Sequence, residues 1–182
     1  AETIFEANFE DEDLENFVLS GNWQVVKDTS TNKVLEVDSQ GVHRWYNARF
    51  GSRDWDNYII EFKAKLKFCG EECDLYLTFR ENNEGDAYTV IFDDSGTINL
   101  TFAPGDTDKS WEDIGLPAEF GFKQNEWHHI LVEVNDSNLK LYVDDVLRKQ
   151  ESDTRLTNGF LAFNVAPNTI AQIDDVRVRA ID

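Results

Sequence analysis

Hydrophobic and polar residues alternate along most of this chain, and a period of two residues predicts β-strands. The clearest example is the run NYIIEFKAKLKF, residues 57–68. Its alternate apolar residues share one face, namely Ile60, Phe62, Ala64, Leu66 and Phe68. Glu61 and three lysines occupy the other face. No stretch of a dozen residues carries the hydrophobic stripe of a helix, so the chain is predicted to be all-β.

About a dozen such runs follow one another, separated by short turns rich in Asp, Asn, Ser and Gly. Asp144 and Asp145 are predicted to form a tight two-residue hairpin loop. Many short strands with short turns favour a two-sheet antiparallel β-sandwich of the jelly-roll type over an open sheet. Only residues 103–126 lack strand periodicity, and this long loop is the expected place for specificity.

Composition agrees with a single domain over residues 1–182, because 41% of the residues are hydrophobic and 13% aromatic. The net charge is −19, from 17 basic and 36 acidic residues. Such a surface repels nucleic acids and anionic lipids, so neither nucleic acid nor membrane is an expected partner. Neutral ligands and cations fit this charge better.

Two cysteines, Cys69 and Cys73, flank a short turn between two strand-like runs. They are close enough in sequence to meet across the mouth of a hairpin, which favours a disulfide and a secreted or cell-surface location. Two free thiols in a reducing compartment, or half of a metal site, are the alternatives.

The order of the strand-like runs resembles a known superfamily. The segments that carry the resemblance are DLYLTFRENNEGDAYTVIFDDSGTINLTF, NEWHHILVEVNDSNLKLYVDDVLRKQ and NGFLAFNVAPNTIAQIDDVRV. Together they are similar to the concanavalin A-like lectin/glucanase superfamily, particularly its laminin-G-like domains and carbohydrate-binding modules. The resemblance covers roughly residues 57–180 and implies a jelly roll with a glycan-related function.

Strict alternation in QIDDVRV places Asp174 on the same side as Val176 and Val178. A buried carboxylate needs a partner, which is either a cation, a backbone N–H group or an arginine such as Arg155. The pairing of NFEDEDLENF with IDDVRV resembles jelly-roll carbohydrate-binding modules in which such acids hold a structural calcium ion. That resemblance assigns Glu10 and Asp174 as calcium ligands.

Aromatic residues are the candidates for a sugar site, because sugar rings present apolar C–H faces that stack on Trp and Tyr. Several of them lie in polar stretches or in the long loop, and Tyr76, Thr78 and Arg80 share one face of a predicted strand. The predicted ligand-binding residues are Trp45, Tyr46, Trp55, Tyr76, Arg80 and Trp111. The competing interpretation is packing, which is the commoner role of any single Trp and the expected one for Trp23 and Trp127.

Glucanases of the superfamily that the chain resembles carry a Glu-x-Asp-x-x-Glu strand. Here Glu36 and Asp38 stand without the closing Glu, so no catalytic residue is assigned. The sequence therefore predicts a non-catalytic carbohydrate-binding module or lectin-like domain. Its expected ligand is a neutral polysaccharide or oligosaccharide, and its expected context is a larger multidomain extracellular protein. The alternatives are a hydrolase or lyase of the same fold and a laminin-G-like adhesion domain that binds protein.

Overall fold

The computed structural model describes residues 1–182, which form strands and no helix. In chain order the strands are β1 (Thr3–Ala7), β2 (Val18–Ser20), β3 (Trp23–Lys27), β4 (Lys33–Asp38), β5 (Tyr46–Phe50), β6 (Tyr58–Cys69), β7 (Asp74–Glu81), β8 (Ala87–Asp93), β9 (Thr97–Ala103), β10 (Glu112–Asp113), β11 (Ala118–Glu119), β12 (His128–Asn135), β13 (Asn138–Val143), β14 (Val146–Ser152), β15 (Phe160–Val165) and β16 (Thr169–Ala180). Nothing in the chain has the length, helical form and apolar character of a membrane-spanning helix.

The strands form two antiparallel sheets that pack face to face, which confirms the predicted jelly-roll sandwich. The first sheet has the order β14-β13-β12-β6-β16-β4-β3, and β1 pairs with the end of β16. The second sheet has the order β10-β9-β8-β7-β15-β5-β2, and β11 also pairs with β9. The most hydrophobic faces of both sheets meet in one core.

The alternation in β6 behaves as predicted over most of the strand. Ile60, Phe62, Ala64 and Leu66 are buried in the core, whereas Phe68 is 40% exposed. Phe68 departs from the pattern because the register against β16 shifts at this end of the strand, between Ile170 and Ala171. The local bulge turns the last part of β6 away from the core.

The hairpin between β13 and β14 also forms as predicted. Asp144 and Asp145 have φ angles of +51° and +65°, the pair of left-handed residues that a type I′ turn requires. Asp is among the few residues that adopt this conformation at low cost. The two strands therefore leave the turn with the right-handed twist of the sheet.

Candidate functional site

A groove with a volume of about 570 Å³ runs across the outer face of the second sheet. Strands β5, β15, β7, β8 and β9 lie side by side there and contribute outward-facing side chains. The floor is uncharged and small, with the polar residues Asn47, Thr78, Thr89 and Asn164 and the small residues Gly85, Ala87 and Ala103. Such a floor lets a ligand approach the sheet closely and offers it amide and hydroxyl groups.

Three aromatic rings form one wall of the groove. The Tyr76 ring centroid lies 4.6 Å from that of Trp45 and 5.6 Å from that of Trp111. The two tryptophans remain 38% and 48% exposed, which is unusual for side chains of this size. The rings come from three separate segments: Trp45 precedes β5, Tyr76 lies in β7, and Trp111 precedes β10 in the long loop. The groove therefore presents a connected aromatic surface to solvent.

A chain of hydrogen bonds orients the polar floor. Asn47 Nδ2 donates to Asn164 Oδ1 at 2.6 Å, and Asn164 Nδ2 donates to Thr78 Oγ1 at 2.9 Å. The three residues lie on the neighbouring strands β5, β15 and β7, so the backbone register holds them in line. Each amide keeps capacity for a ligand, because it has two N–H donors and two acceptor lone pairs, of which Asn164 uses one each.

One end of the aromatic wall is acidic. The Tyr76 hydroxyl donates to Asp74 Oδ2 at 3.4 Å. Burial, together with the negative charge of Asp93 on the neighbouring strand, raises the pKa of Asp74 to about 6. Burial and the adjacent Asp74 also raise the pKa of Tyr76. At neutral pH Asp74 is therefore mostly ionised and accepts the hydrogen bond of a protonated Tyr76, which helps to fix the central ring.

The predicted aromatic residues divide between the groove and the core. Trp45, Tyr76 and Trp111 line the groove. Tyr46 is 7% exposed and belongs to the core between the sheets. Trp55 packs on the same core, with its ring near those of Phe5 and Tyr58. The assignment of Tyr46 and Trp55 as ligand-binding residues is therefore corrected, because neither ring faces the groove.

Arg80 requires a second correction, because it does not share the outer face of Tyr76 and Thr78. It has a φ of +50° and lies where the register between β7 and β15 shifts, so β7 contains a bulge here. The bulge turns Arg80 inward, where it is 1% exposed, and brings Glu81 to the groove in its place.

The Arg80 guanidinium uses its donors to join loops at the end of the sandwich. Nη1 donates to Asp136 O at 2.7 Å and Leu156 O at 3.0 Å. Nη2 donates to Asp56 O at 2.8 Å and Asn57 Oδ1 at 3.2 Å, and Nε also reaches Asp56 O. Burial lowers the pKa of Arg80. The residue is structural in this arrangement, since every donor is engaged within the protein.

Asn47, Asn164 and Glu81 line the groove and were absent from the sequence-based assignment. The two asparagines stand at outward positions of YNARF and GFLAFNV, so alternation alone places them on a solvent-side face. What the sequence does not show is that β5 and β15 are neighbours, which makes the asparagines a pair.

Asp174 is 4% exposed, but its surroundings differ from those predicted. Ala171 and Ile173 face the core. Asp174 comes directly after Ile173, so its side chain lies on the opposite face of β16. A bulge at Asp175, with a φ of +49°, then returns Val176 to the core. The predicted position of Asp174 on the side of Val176 is therefore wrong, although its burial is real.

The two predicted calcium ligands lie against consecutive residues where the β3–β4 turn ends and β4 begins, Asn32 and Lys33. Asp174 Oδ2 accepts a hydrogen bond from Asn32 Nδ2 at 3.1 Å, and Asp174 Oδ1 accepts one from the Asp175 N–H at 2.8 Å. Glu10 Oε1 accepts the Lys33 N–H at 3.0 Å. Burial raises the pKa of Asp174, and the bonds from Asn32 and Asp175 oppose that shift.

The structure pairs Cys69 and Cys73 in a disulfide across the mouth of the β6–β7 hairpin. The bridge lies next to Asp94. It is therefore at the end of the second sheet where β7 begins. It closes a loop of five residues and leaves no free cysteine in the chain.

Comparison with known proteins identifies relatives of the whole fold. A family model for the concanavalin A-like lectin/glucanases superfamily matches residues 72–180. No curated protein matches the sequence. Among solved structures, a carbohydrate-binding module, CBM66 from Bacillus subtilis, has a TM-score of 0.70 at 18% identity, covering 91% of this chain and 96% of that one.

Two further solved structures are similar to this chain. Domain 4 of AbnA, a GH43 extracellular arabinanase from Geobacillus stearothermophilus in complex with arabinotriose, has a TM-score of 0.70 at 15% identity. The match covers 99% of this chain and 93% of the arabinanase domain. A mixed-linkage glucan GH16 protein from Bacteroides ovatus has a TM-score of 0.77 at 14% identity, with coverage of 97% and 100%. At these identities the likeness concerns the fold.

Proposed function

Because the chain belongs to the concanavalin A-like lectin/glucanase superfamily, we propose that it is a carbohydrate-binding domain whose groove holds a neutral glycan chain. The observation that carries the proposal is the connected wall of Trp45, Tyr76 and Trp111 above an uncharged polar floor. Aromatic rings stack on the C–H faces of sugars, while amides and hydroxyls bind their hydroxyl groups. A neutral ligand also avoids repulsion by the net charge of −19.

Affinity electrophoresis against a polysaccharide panel tests this proposal. The panel contains mixed-linkage β-glucan and arabinan as neutral polymers and polygalacturonate as an anionic one. We expect at least one neutral polymer to retard the protein, and polygalacturonate to leave its migration unchanged. Migration that no polymer retards, or binding restricted to protein ligands, would contradict the proposal.

A catalytic role is the second candidate, because glycoside hydrolases share this fold. Most enzymes that hydrolyse glycosidic bonds use two carboxyl groups about 5–10 Å apart on either side of the scissile bond. Glu81 is the only carboxylate that lines the groove, and Asp74 is engaged by the Tyr76 hydroxyl outside the groove lining. This arrangement favours binding without cleavage. Release of reducing sugar from a bound polymer, measured over a long incubation, would favour the hydrolase instead.

A secreted or cell-surface location accompanies this proposal, as does a place within a larger extracellular protein. The support is the Cys69–Cys73 disulfide, since such bonds persist mainly in oxidising compartments. A domain of this kind would hold the rest of such a protein on a polysaccharide.

A structural calcium ion bound by Glu10 and Asp174 remains part of the proposal. The support is their position against the consecutive residues Asn32 and Lys33, because Asn32 also carries an amide oxygen that suits calcium. Against it, nitrogen donors contact both carboxylates, and the Lys33 ammonium group lies 3.0 Å from Glu12. The ion would clamp the segment after β1 to β16.

Chelation tests the calcium site through stability. An ion that binds only the folded state at a hundred times its dissociation constant adds about 2.7 kcal/mol, so the melting temperature should fall in EDTA and recover with calcium. Asp174→Ala should abolish the shift. Asp175→Ala is the matched control and should retain it, because that side chain pairs with Lys63 at the surface. An identical melting temperature in EDTA and calcium, with no metal by elemental analysis, would reject the site.

A further inference from the structure

The Arg49 guanidinium is held in position by stacking on an aromatic ring and not by hydrogen bonds. Its Cζ lies 3.8 Å from the centroid of the Phe160 ring, so stacking fixes the plane of the group. Its Nε is buried and has no hydrogen-bond partner. Its Nη2 lies 3.8 Å from Glu81 Oε1, beyond hydrogen-bond distance. The side chain is 37% exposed, so a ligand oxygen reaches the terminal N–H groups and not the buried Nε.

Three adjacent strands place this group at the end of the groove. Arg49 follows Asn47 on the outer face of β5, Phe160 begins β15, and Glu81 ends β7. Asn47 and Glu81 both line the groove, so the guanidinium lies beside the same floor that the aromatic wall overlooks. The Arg49 and Glu81 side chains are 37% and 26% exposed, which leaves both reachable from solvent.

We propose that Arg49 and Glu81 form a specificity subsite that binds two adjacent hydroxyl groups of a neutral sugar. A hydroxyl both donates and accepts, whereas Arg only donates and an ionised Glu only accepts. One sugar hydroxyl accepts from the Arg49 fork, and its neighbour donates to the Glu81 carboxylate. The inference rests on the proposed function. It adds to that function the pair of adjacent sugar hydroxyl groups that this end of the groove recognises.

The charge of the pair selects hydroxyl groups over a carboxylate. Glu81 lies close enough to offset the Arg49 charge, and it would repel the carboxylate of a uronic acid at the same place. For hydroxyl groups the same carboxylate is an acceptor and strengthens binding. Replacing Glu81 with Gln therefore has opposite effects on the two ligand classes, and this difference in sign distinguishes them.

Calorimetric titration of three variants tests the subsite. The probes are a neutral mixed-linkage gluco-oligosaccharide, arabinotriose and an oligogalacturonate of similar length. For the neutral probe that the wild-type protein binds, we expect Arg49→Gln and Glu81→Gln each to weaken affinity about tenfold or more, as for loss of a hydrogen bond to a charged group. Arg49→Lys should not restore affinity, because an ammonium group lacks the planar fork. Arg177→Gln, on the first sheet, is the matched control and should bind normally.

The outcomes separate this inference from the proposed function. If Arg49→Gln and Glu81→Gln bind a neutral probe as the wild-type protein does, the subsite is overturned and the groove remains a glycan site. If the wild-type protein binds oligogalacturonate more tightly than either neutral probe and Arg49→Lys keeps that affinity, the subsite binds anions and the inference is likewise overturned. If the wild-type protein binds none of the three probes or the panel polymers, the proposed function and the subsite fail together.

Discussion

Replacing Arg80 with methionine should lower the free energy of unfolding by about 4 kcal/mol, because one buried and two partly buried backbone acceptors then lose their donor at once. Methionine keeps much of the unbranched stem of the arginine but none of its five N–H groups. The carbonyls of Asp56, Asp136 and Leu156 all bond to that guanidinium. Urea denaturation followed by tryptophan fluorescence measures the change, with the slope of the transition checked for constancy.

Arg177→Met is the matched control for this prediction. Arg177 lies on the outer face of β16 and pairs with Glu6, and both side chains are about half exposed. Exposed pairs of this kind contribute about 0–1 kcal/mol, so the control should change stability little. Arg80→Lys should resemble Arg80→Met, since one ammonium group cannot reach three loops. A surface pocket borders Arg80, Asp56 and Asp136, and a loss below about 1 kcal/mol in Arg80→Met would show that water from it replaces the guanidinium.

Replacing Tyr76 with alanine should weaken glycan binding at least thirtyfold, the loss that corresponds to about 2 kcal/mol for an interfacial hot spot. Tyr76 is the ring that contacts both Trp45 and Trp111, so its removal disconnects the aromatic wall as well as deleting one platform. Tyr76→Phe keeps the ring and loses only the bond to Asp74, so it should retain most of the affinity. The measurement is titration with the neutral polymer that the panel identifies.

Tyr142→Ala provides the control for a truncated tyrosine. Tyr142 lies on the outer face of β13 in the first sheet, far from the groove in the strand order. Its replacement should leave affinity unchanged. Near-UV circular dichroism of Tyr76→Ala should match that of the folded protein apart from the lost chromophore. A folded Tyr76→Ala that binds like the wild-type protein would place the glycan elsewhere on the surface.

Alternation predicted the fold well because each sheet buries one face and exposes the other. The pattern in β6 and the Asp144–Asp145 turn are local features, and local sequence decides them. Trp45 and Trp111 were predicted because they lie in polar stretches, and Tyr76 because it faces outward on its strand, but Trp55 has surroundings like those of Trp45 and packs on the core. The meeting of Trp45, Tyr76 and Trp111 at one groove depends on sheet order and required the structure.

The errors at Arg80 and Asp174 have one physical cause. A bulge with a positive φ inserts one residue into a strand and exchanges the faces of the side chains beyond it. In β7 this exchange buries Arg80 and presents Glu81 to the groove. In β16 it separates Asp174 from the face of Val176. Neither bulge contains a glycine that would indicate it in the sequence. Strict alternation was therefore assumed across both bulges, and it assigned the residues to the wrong faces.

The asparagine pair was missed for a different reason. Asn47 and Asn164 are 117 positions apart in the chain and meet only because β5 and β15 are paired. Each residue alone is an ordinary outward-facing polar side chain. Strand order in a jelly roll is set by long-range packing, and one sequence without pairing information does not reveal it.

The pairing of β1 with the end of β16 has a practical consequence for attachment. Thr3 lies opposite Arg179, so the first and last strands bring residues 3 and 179 together in the first sheet, whereas the groove lies on the outer face of the second. A surface, label or neighbouring domain joined through either strand would therefore tether the molecule by the sheet opposite its groove. Immobilised in that way, the protein would present the aromatic wall outward, toward a polymer in solution.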